Sequence, residues 1–265
     1  MVRPPSIDWF PVWLGLYAAV LSLAVTWVAV GGFTAISLGV AVVVWIVATV
    51  LADAVDGLAV AISRRRVHLL LLFAPLLVLP GFLVESWLGP PPSFLPWPAL
   101  GLALLVPGLG VFVTADNQRV EEVTRGDRPR LAWVAAPGDR FARRWKRVFL
   151  ALGIAFVVGP FALLLLSDWD VIGTTAIGGG LLGQYHYLGR KQEYAAYDAG
   201  LVIEPRGSLR AVIVPWHRFT GYRVTDEELI VVRRLPGTSL HCALADLEDP
   251  DAVTSALDAH LDRLD

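Results

Sequence analysis

A lone cysteine, Cys242, among 265 residues rules out an intramolecular disulfide and any zinc cage built from thiolates. Lysine is nearly as scarce, present only at Lys146 and Lys191. Charged residues make up 17% of the chain, against roughly 25% in an ordinary soluble domain. The 22 basic and 24 acidic side chains leave a net charge of -2, so no global positive field exists to recruit nucleic acid. Missing too are the short runs that mark common catalytic sites: G-x-S-x-G, H-E-x-x-H, C-x-x-C and the phosphate loop. What the chain has in quantity is apolar residues, 55% of the total, which excludes disorder and points to an integral membrane protein.

A hydrocarbon core about 30 Å thick needs roughly 20 apolar residues of helix. Six stretches meet that measure, at 11–31, 33–52, 69–88, 94–114, 148–166 and 171–188. The first two form one charge-free run from Phe10 to Ala52, broken at Gly31-Gly32, which suits a tight helical hairpin. Gly89-Pro90-Pro91-Pro92-Ser93 separates the third and fourth, because such a turn cannot stay helical. Arg64-Arg65-Arg66, the segment from Arg119 to Arg147, and Arg190-Lys191 follow spans two, four and six. Since basic loops stay inside, six crossings put every one of them, and both termini, in the cytoplasm. Trp87, Trp97 and Trp169 then fall at the outer interface, and Trp9, Trp13 and Trp145 at the inner one. The expected architecture is a polytopic α-helical membrane bundle of about six transmembrane helices with a small C-terminal β domain closed by an α-helix. Its divisions are a four-span region (1–114), a basic cytoplasmic loop (115–147), a two-span hairpin (148–188) and a cytoplasmic domain (189–265).

From about Tyr194 long apolar runs give way to short alternating ones bounded by turn residues, the pattern of an antiparallel sheet. Leu201 to Glu204 ends at Pro205-Arg206-Gly207, and Leu209, Ala211 and Ile213 alternate with Arg210, Val212 and Val214. Phe219 to Val224 leads through the acidic turn Asp226-Glu227-Glu228 to Leu229–Val232, and Leu240, Cys242 and Leu244 share a face after Pro236-Gly237. Asp249-Pro250 has the residue types of a helix cap and first helical position, with Val253, Leu257 and Leu261 at helical spacing behind it. This tail resembles the pleckstrin-homology-like (PH-like) domains that bacterial and archaeal membrane proteins carry after paired transmembrane helices. The likeness rests on Tyr197-Asp198-Ala199-Gly200-Leu201-Val202-Ile203, Ile213-Val214-Pro215-Trp216, Gly221-Tyr222-Arg223-Val224, Leu229-Ile230-Val231 and the closing helix from Pro250 to Leu264. It implies a barrel-like module used for binding or assembly rather than chemistry.

Residues 115–147 carry nine basic and five acidic groups, whereas 188–265 carry nine and thirteen. Arg140, Arg143, Arg144, Lys146 and Arg147 form a polybasic cluster just before span five, which sets topology and is also a candidate contact for anionic lipid. Asp53 and Asp56 sit three apart on one helix face, a candidate ion site if they lie within the membrane and an interfacial pair if they lie at its edge. The run Asp53-Ala54-Val55-Asp56-Gly57 also looks like the start of the CDP-alcohol phosphotransferase signature. Val60 and Ala61 stand where that signature has Ala-Arg, and no aspartate follows before Asp116, so half of its metal-binding carboxylates are missing. His186 and the His241-Cys242 pair have no ligand-type neighbours at metal spacing, and alternation sends His241 and Cys242 to opposite faces. Ala176, Gly179, Gly180 and Gly183 supply small residues four apart, suited to close helix packing within the chain or between two copies.

These features predict a non-enzymatic, multi-pass protein of the cell membrane that presents a PH-like module to a protein partner. No cofactor, metal or nucleic acid is implied, and the lipid bilayer and a homo-oligomer are further expected partners. The alternatives are a small transporter or channel using Asp53 and Asp56, or a degenerate lipid enzyme of the phosphotransferase kind.

Overall fold

The structure is a computed structural model that describes residues 8–30, 34–75, 96–164, 172–235 and 238–264. The chain divides into two compact units, Met1–Arg125 and Gly126–Asp265.

The charge-free run from Phe10 to Ala52 supplies the first two helices of the first unit. Helix α1 runs over Phe10–Val30 and α2 over Ala35–Asp53. A capping box starts α2: the Ser37 amide donates to Thr34 Oγ1 at 3.1 Å and the Thr34 amide to Ser37 Oγ at 2.8 Å. Gly57, at φ 70°, turns the chain into the short α3, Leu58–Arg64. Residues 67–75 form α4, and α5 spans Pro96–Thr124. Helix α5 packs on α1 and α3, around a core of Phe10, Ala59, Val111 and Ala115. Both α1 and α2 are long and apolar enough to cross a membrane, and α2 turns Ile36, Val43, Val47 and Val50 outward.

The expected six-span bundle is not what forms. Among the described residues only α1 and α2 combine the length and the hydropathy of a membrane crossing. From Pro96 onward the stretch read at 94–114 belongs to α5, which continues through Asp116, Arg119, Glu121 and Glu122. As far as Leu164, the stretch read at 148–166 is the rear of a longer helix, α6 (Asp139–Leu164), whose first nine residues carry five cations and Asp139. Helix α7 covers Ile172–Tyr187; its 16 residues reach about 24 Å, short of the hydrocarbon core. Most of the stretch at 69–88, with Glu85 and Trp87, lies outside the described residues, as do the proline turn at 89–93, Trp169 and the Pro236-Gly237 turn.

The second unit holds two antiparallel sheets. Strands β1 (Leu131–Ala135), β2 (Gln192–Tyr197), β3 (Gly200–Pro205) and β4 (Val212–Val214) form one in that order, and β5 (Phe219–Val224), β6 (Glu228–Arg233) and β7 (Leu240–Ala243) the other. Strand β1 lies within the stretch read as a basic loop. It pairs with β2 from Leu131↔Ala196 to Ala135↔Gln192, so α6 and α7 are inserted as a helical hairpin between two neighbouring strands. Helix α8 (Pro250–Asp258), capped by the Asp249 carboxylate on the Ala252 amide at 2.9 Å, buries Val253 and Leu257. The core gathers Trp133 and Tyr194, stacked at 5.5 Å, with Leu201, Tyr222, Leu229 and Cys242. Burial pushes the Cys242 thiol up to about 11, which leaves it protonated and inert at neutral pH. Burial and the hydrogen bond it donates to Asp258 raise the Tyr222 phenol to about 12.

Within the hairpin, Gly178 has no side chain to hold α7 away from the Gly153 carbonyl and Val157 of α6. The rest of α6 presents apolar groups to its surroundings, with Val148, Leu150, Leu152, Ile154, Phe156 and Val158 all exposed. One carboxylate clasps both legs of this hairpin: Asp246 accepts from the Ala136 amide at 2.9 Å and from Lys191 Nζ at 2.6 Å. The Lys191 bond, and then the Ala136 amide, hold the Asp246 carboxyl below its ordinary value of 3.8. A carboxyl depressed in the folded state contributes stability above that ordinary value and loses it as pH falls through the folded one. Asp246→Asn is therefore expected to cost about 1 kcal/mol at pH 7, because the bond is partly exposed. Thermal unfolding of the two proteins should converge as pH drops below the ordinary carboxylate value.

Candidate functional site

At the root of the hairpin the first two turns of α6 lie over β6 and β7, enclosing a cleft of about 690 Å³. Phe141, Trp145 and Val148 come from α6 at helical spacing, facing Ile230 of β6. His241 projects from β7 on the face opposite Cys242, as strand alternation requires, and its ring stacks on Phe141 at 4.4 Å and 16°. Its Nδ1 lies 2.9 Å from Glu228 Oε2.

Glu228 is only 7% exposed, and its second oxygen, Oε1, has no hydrogen-bond partner among the described residues. The carboxylate packs against Gly138, where any Cβ would collide with it, so the glycine at the entrance to α6 makes room for this charge. The helix N-terminus beside it favours a negative group. Thr225 shapes the turn that delivers Glu228, its hydroxyl accepting from the Glu228 amide at 3.0 Å. Farther out, Arg140 pairs with Glu227 at 3.2 Å, whereas Arg144 and Asp226 make no ion pair among the described residues. The cleft thus has the Arg144 guanidinium, the exposed Asp226 carboxylate and an aromatic wall, while the unpartnered oxygen of Glu228 is packed away against Gly138.

Of the five basic residues singled out in the sequence, Arg140 and Arg144 line this cleft. Arg143 is exposed and donates to the Asp139 carbonyl, Arg147 is exposed, and Lys146 approaches Gly189. Asp53 and Asp56 are both exposed at the end of α2 and in the turn after it. Asp56 lines a separate cleft of about 640 Å³ with Asp8, Glu121 and Glu122, which Asp53 does not reach. Among the described residues no three of His, Cys, Asp and Glu gather as metal ligands. Gly179, Gly180 and Gly183 face open space, and the packing glycine is Gly178; Ala176 lies one turn earlier on α7. His186 is exposed near the end of α7.

The first unit hides a polar trio that sequence reasoning missed. Ser63 of α3, His68 of α4 and Asp116 of α5 are all buried; Ser63 Oγ donates to Asp116 Oδ1 at 2.7 Å and His68 Nε2 lies 3.7 Å from the same oxygen. With the carboxylate in the middle, the hydroxyl is tied to Asp116 rather than to the imidazole, so this is a clamp between helices and not a hydrolytic triad.

Set against known protein families, curated proteins and solved structures, the chain matches none. The functional reading therefore rests on the geometry.

Proposed function

We propose that this protein is a membrane-anchored binding protein, without catalytic activity, whose two-sheet unit is a PH-like module facing the cytoplasm and serving partner binding or assembly. The observation that carries the proposal is the β1–β2 register, which makes the two legs of an apolar helical hairpin adjacent strands of one sheet. A hairpin whose α6 leg turns Val148, Leu150, Leu152, Ile154, Phe156 and Val158 outward, and which is packed internally through Gly153 and Gly178, suits lipid surroundings better than water. On this reading α1 and α2 cross the bilayer, the α6–α7 hairpin enters it from the cytoplasmic face, and both termini stay inside. Arg64-Arg65-Arg66 and the cations from Arg140 to Arg147 support that orientation. The PH-like assignment draws support from four plus three antiparallel strands closed by a C-terminal helix.

Leu209, exposed on a loop of the sheet unit, offers a direct test. Because Cys242 is buried with a raised pKa, Leu209→Cys would be the one reactive thiol. A membrane-impermeant maleimide is expected to label it in inverted vesicles and not in intact cells. Labelling from outside would reverse the orientation and remove the proposal.

A further inference from the structure

Strand direction sorts the loops of the second unit into two ends. Strand β1 stops at Ala135, where α6 departs, opposite Gln192, where the chain returns from α7, so this end of the sheet is the foot of the hairpin. Strand β3 runs back along β2 and finishes at the same end, with Pro205 opposite Gln192. The loop that follows is tied to the foot. The Tyr187 hydroxyl at the close of α7 donates to the Gly207 carbonyl at 3.1 Å, the Arg206 amide donates to the Lys191 carbonyl at 3.1 Å, and the Arg206 guanidinium pairs with Glu193 at 3.0 Å. Gly207, at φ 75°, reverses the chain. Two residues on, Leu209 is 87% exposed, the highest value for a large apolar side chain among the described residues. Arg206 and Arg210 stand on either side of it in the loop. Cations gather at the foot as well: the Arg190 guanidinium lies over the Tyr187 ring at 4.4 Å, Lys146 approaches Gly189, and neither makes an ion pair among the described residues. Glu193 and Asp246, carboxylates of the same end, already hold Arg206 and Lys191. The far end carries a second exposed leucine, Leu235, after β6, which starts beside Gly138 at the foot and runs away from it.

We propose that this loop is a second membrane contact, which seats Leu209 among the headgroups of an anionic leaflet, sets Arg190 and Arg210 toward its phosphates, and holds the sheet unit foot-down on the bilayer. The inference rests on the reading that the hairpin enters the bilayer, which brings its foot, and every loop tied to it, to the membrane surface. A lone exposed leucine means nothing on a protein in water. Here it stands beside the point where an apolar hairpin leaves the sheet, among cations that an anionic leaflet attracts and whose long stems reach phosphate level while an apolar neighbour goes deeper. The acidic balance of residues 188–265 disfavours binding through the whole tail but leaves one basic end to carry the contact. Leu235, apolar and exposed but at the far end, is the internal control.

The test uses the full chain reconstituted in vesicles of phosphatidylcholine and phosphatidylglycerol, with a nitrobenzoxadiazole fluorophore on one introduced thiol and nitroxide-labelled lipids as quenchers. Cys242 is buried with a raised pKa and stays unlabelled. The thiol is placed by Leu209→Cys, by Leu235→Cys, or by Ile154→Cys on α6, all at exposed positions whose substitution leaves the core intact. A headgroup-level nitroxide is expected to quench position 209 several-fold more than position 235, and a nitroxide deep among the acyl chains to quench position 154. Arg190→Gln combined with Arg210→Gln, or vesicles of phosphatidylcholine alone, should remove most of the quenching at 209. Quenching at 209 no greater than at 235, or indifferent to both the arginines and phosphatidylglycerol, overturns the proposal. So does a position 209 shielded from aqueous iodide yet unquenched by lipid, which would mean that a protein surface covers the loop. Position 154 separates the two levels: a chain quenched there but not at 209 loses only this inference, whereas one unquenched at 154 loses the membrane reading and this inference together. Headgroup depth keeps position 209 on the cytoplasmic side, within reach of the maleimide that reports orientation.

Discussion

Replacing residues 137–190 by a short loop of about two to five residues is expected to give a folded, water-soluble protein made of 126–136 and 191–265. Ala135 and Gln192 are register partners, so their strands end side by side and an ordinary hairpin loop can join them. Retaining Ala136 and Lys191 preserves both bonds to Asp246. Excision also removes the exposed apolar surface of α6, which is what would make the unit aggregate in water. The matching control is residues 191–265 alone, expected to lack cooperative unfolding. It would miss Trp133 and Ala135 from the core and leave the edge of β2 unpaired. Emptying a buried tryptophan site costs about 3–5 kcal/mol, a large part of the 5–15 kcal/mol that holds a domain together. Near-ultraviolet circular dichroism and denaturant unfolding of the two proteins decide the matter. An equally stable tail without β1 would show the strand to be dispensable.

Asp116→Ala is expected to be the most damaging single change in the first unit. It strips the Ser63 hydroxyl and the His68 ring of an oxygen they share where water cannot replace it. Breaking a buried polar pair from one side costs about 3–5 kcal/mol, whereas Asp116→Asn keeps an acceptor for Ser63 and should cost about 1–2 kcal/mol. Ser63→Ala, which removes the donor and leaves a carboxylate with its other contacts, should fall between them. Unfolding temperatures in detergent give the order. Equal effects of the alanine and asparagine variants would mean that the trio holds nothing together.

Reading depth in the sequence varied with the range of the interaction that decides each element. Helices α1 and α2 are legible because one uninterrupted charge-free run dictates both, and Thr34 caps α2 locally. Strands β5 and β7 are legible from alternation, β3 and β6 as short apolar runs bounded by turn residues, and the Asp249-Pro250 start of α8 from local capping. Hydropathy windows misled elsewhere, since a helix does not end where charge begins: α5 runs on past Asp116, and α6 starts nine residues before the apolar stretch that drew attention. Strand β1 was hidden between Arg130 and Arg140 although Leu131, Trp133 and Ala135 alternate correctly, because its partner comes only after α7. The cleft depended on the same kind of distance. Glu228 reads as part of a solvated acidic turn and His241 as a bare histidine until β6 and β7 pair and α6 covers them. Small residues four apart say that helices can approach closely, but which glycine is used follows from the facing residue, here Gly178 against Val157 and Gly153 against Leu182.

The insertion of two helices between paired strands also imposes an order of events during synthesis. Strand β1 leaves the ribosome with Leu131 and Trp133 unsatisfied and waits while residues 136–191 are made, a delay of several seconds at about 5–20 residues per second. Its only neighbour in the sheet is then β2, which cannot dock until the chain has doubled back through α6 and α7. Closure of the sheet is thus a timer that runs out only after the hairpin has emerged, and a nascent chain stalled within α7 should present β1 to chaperones rather than to its own partner.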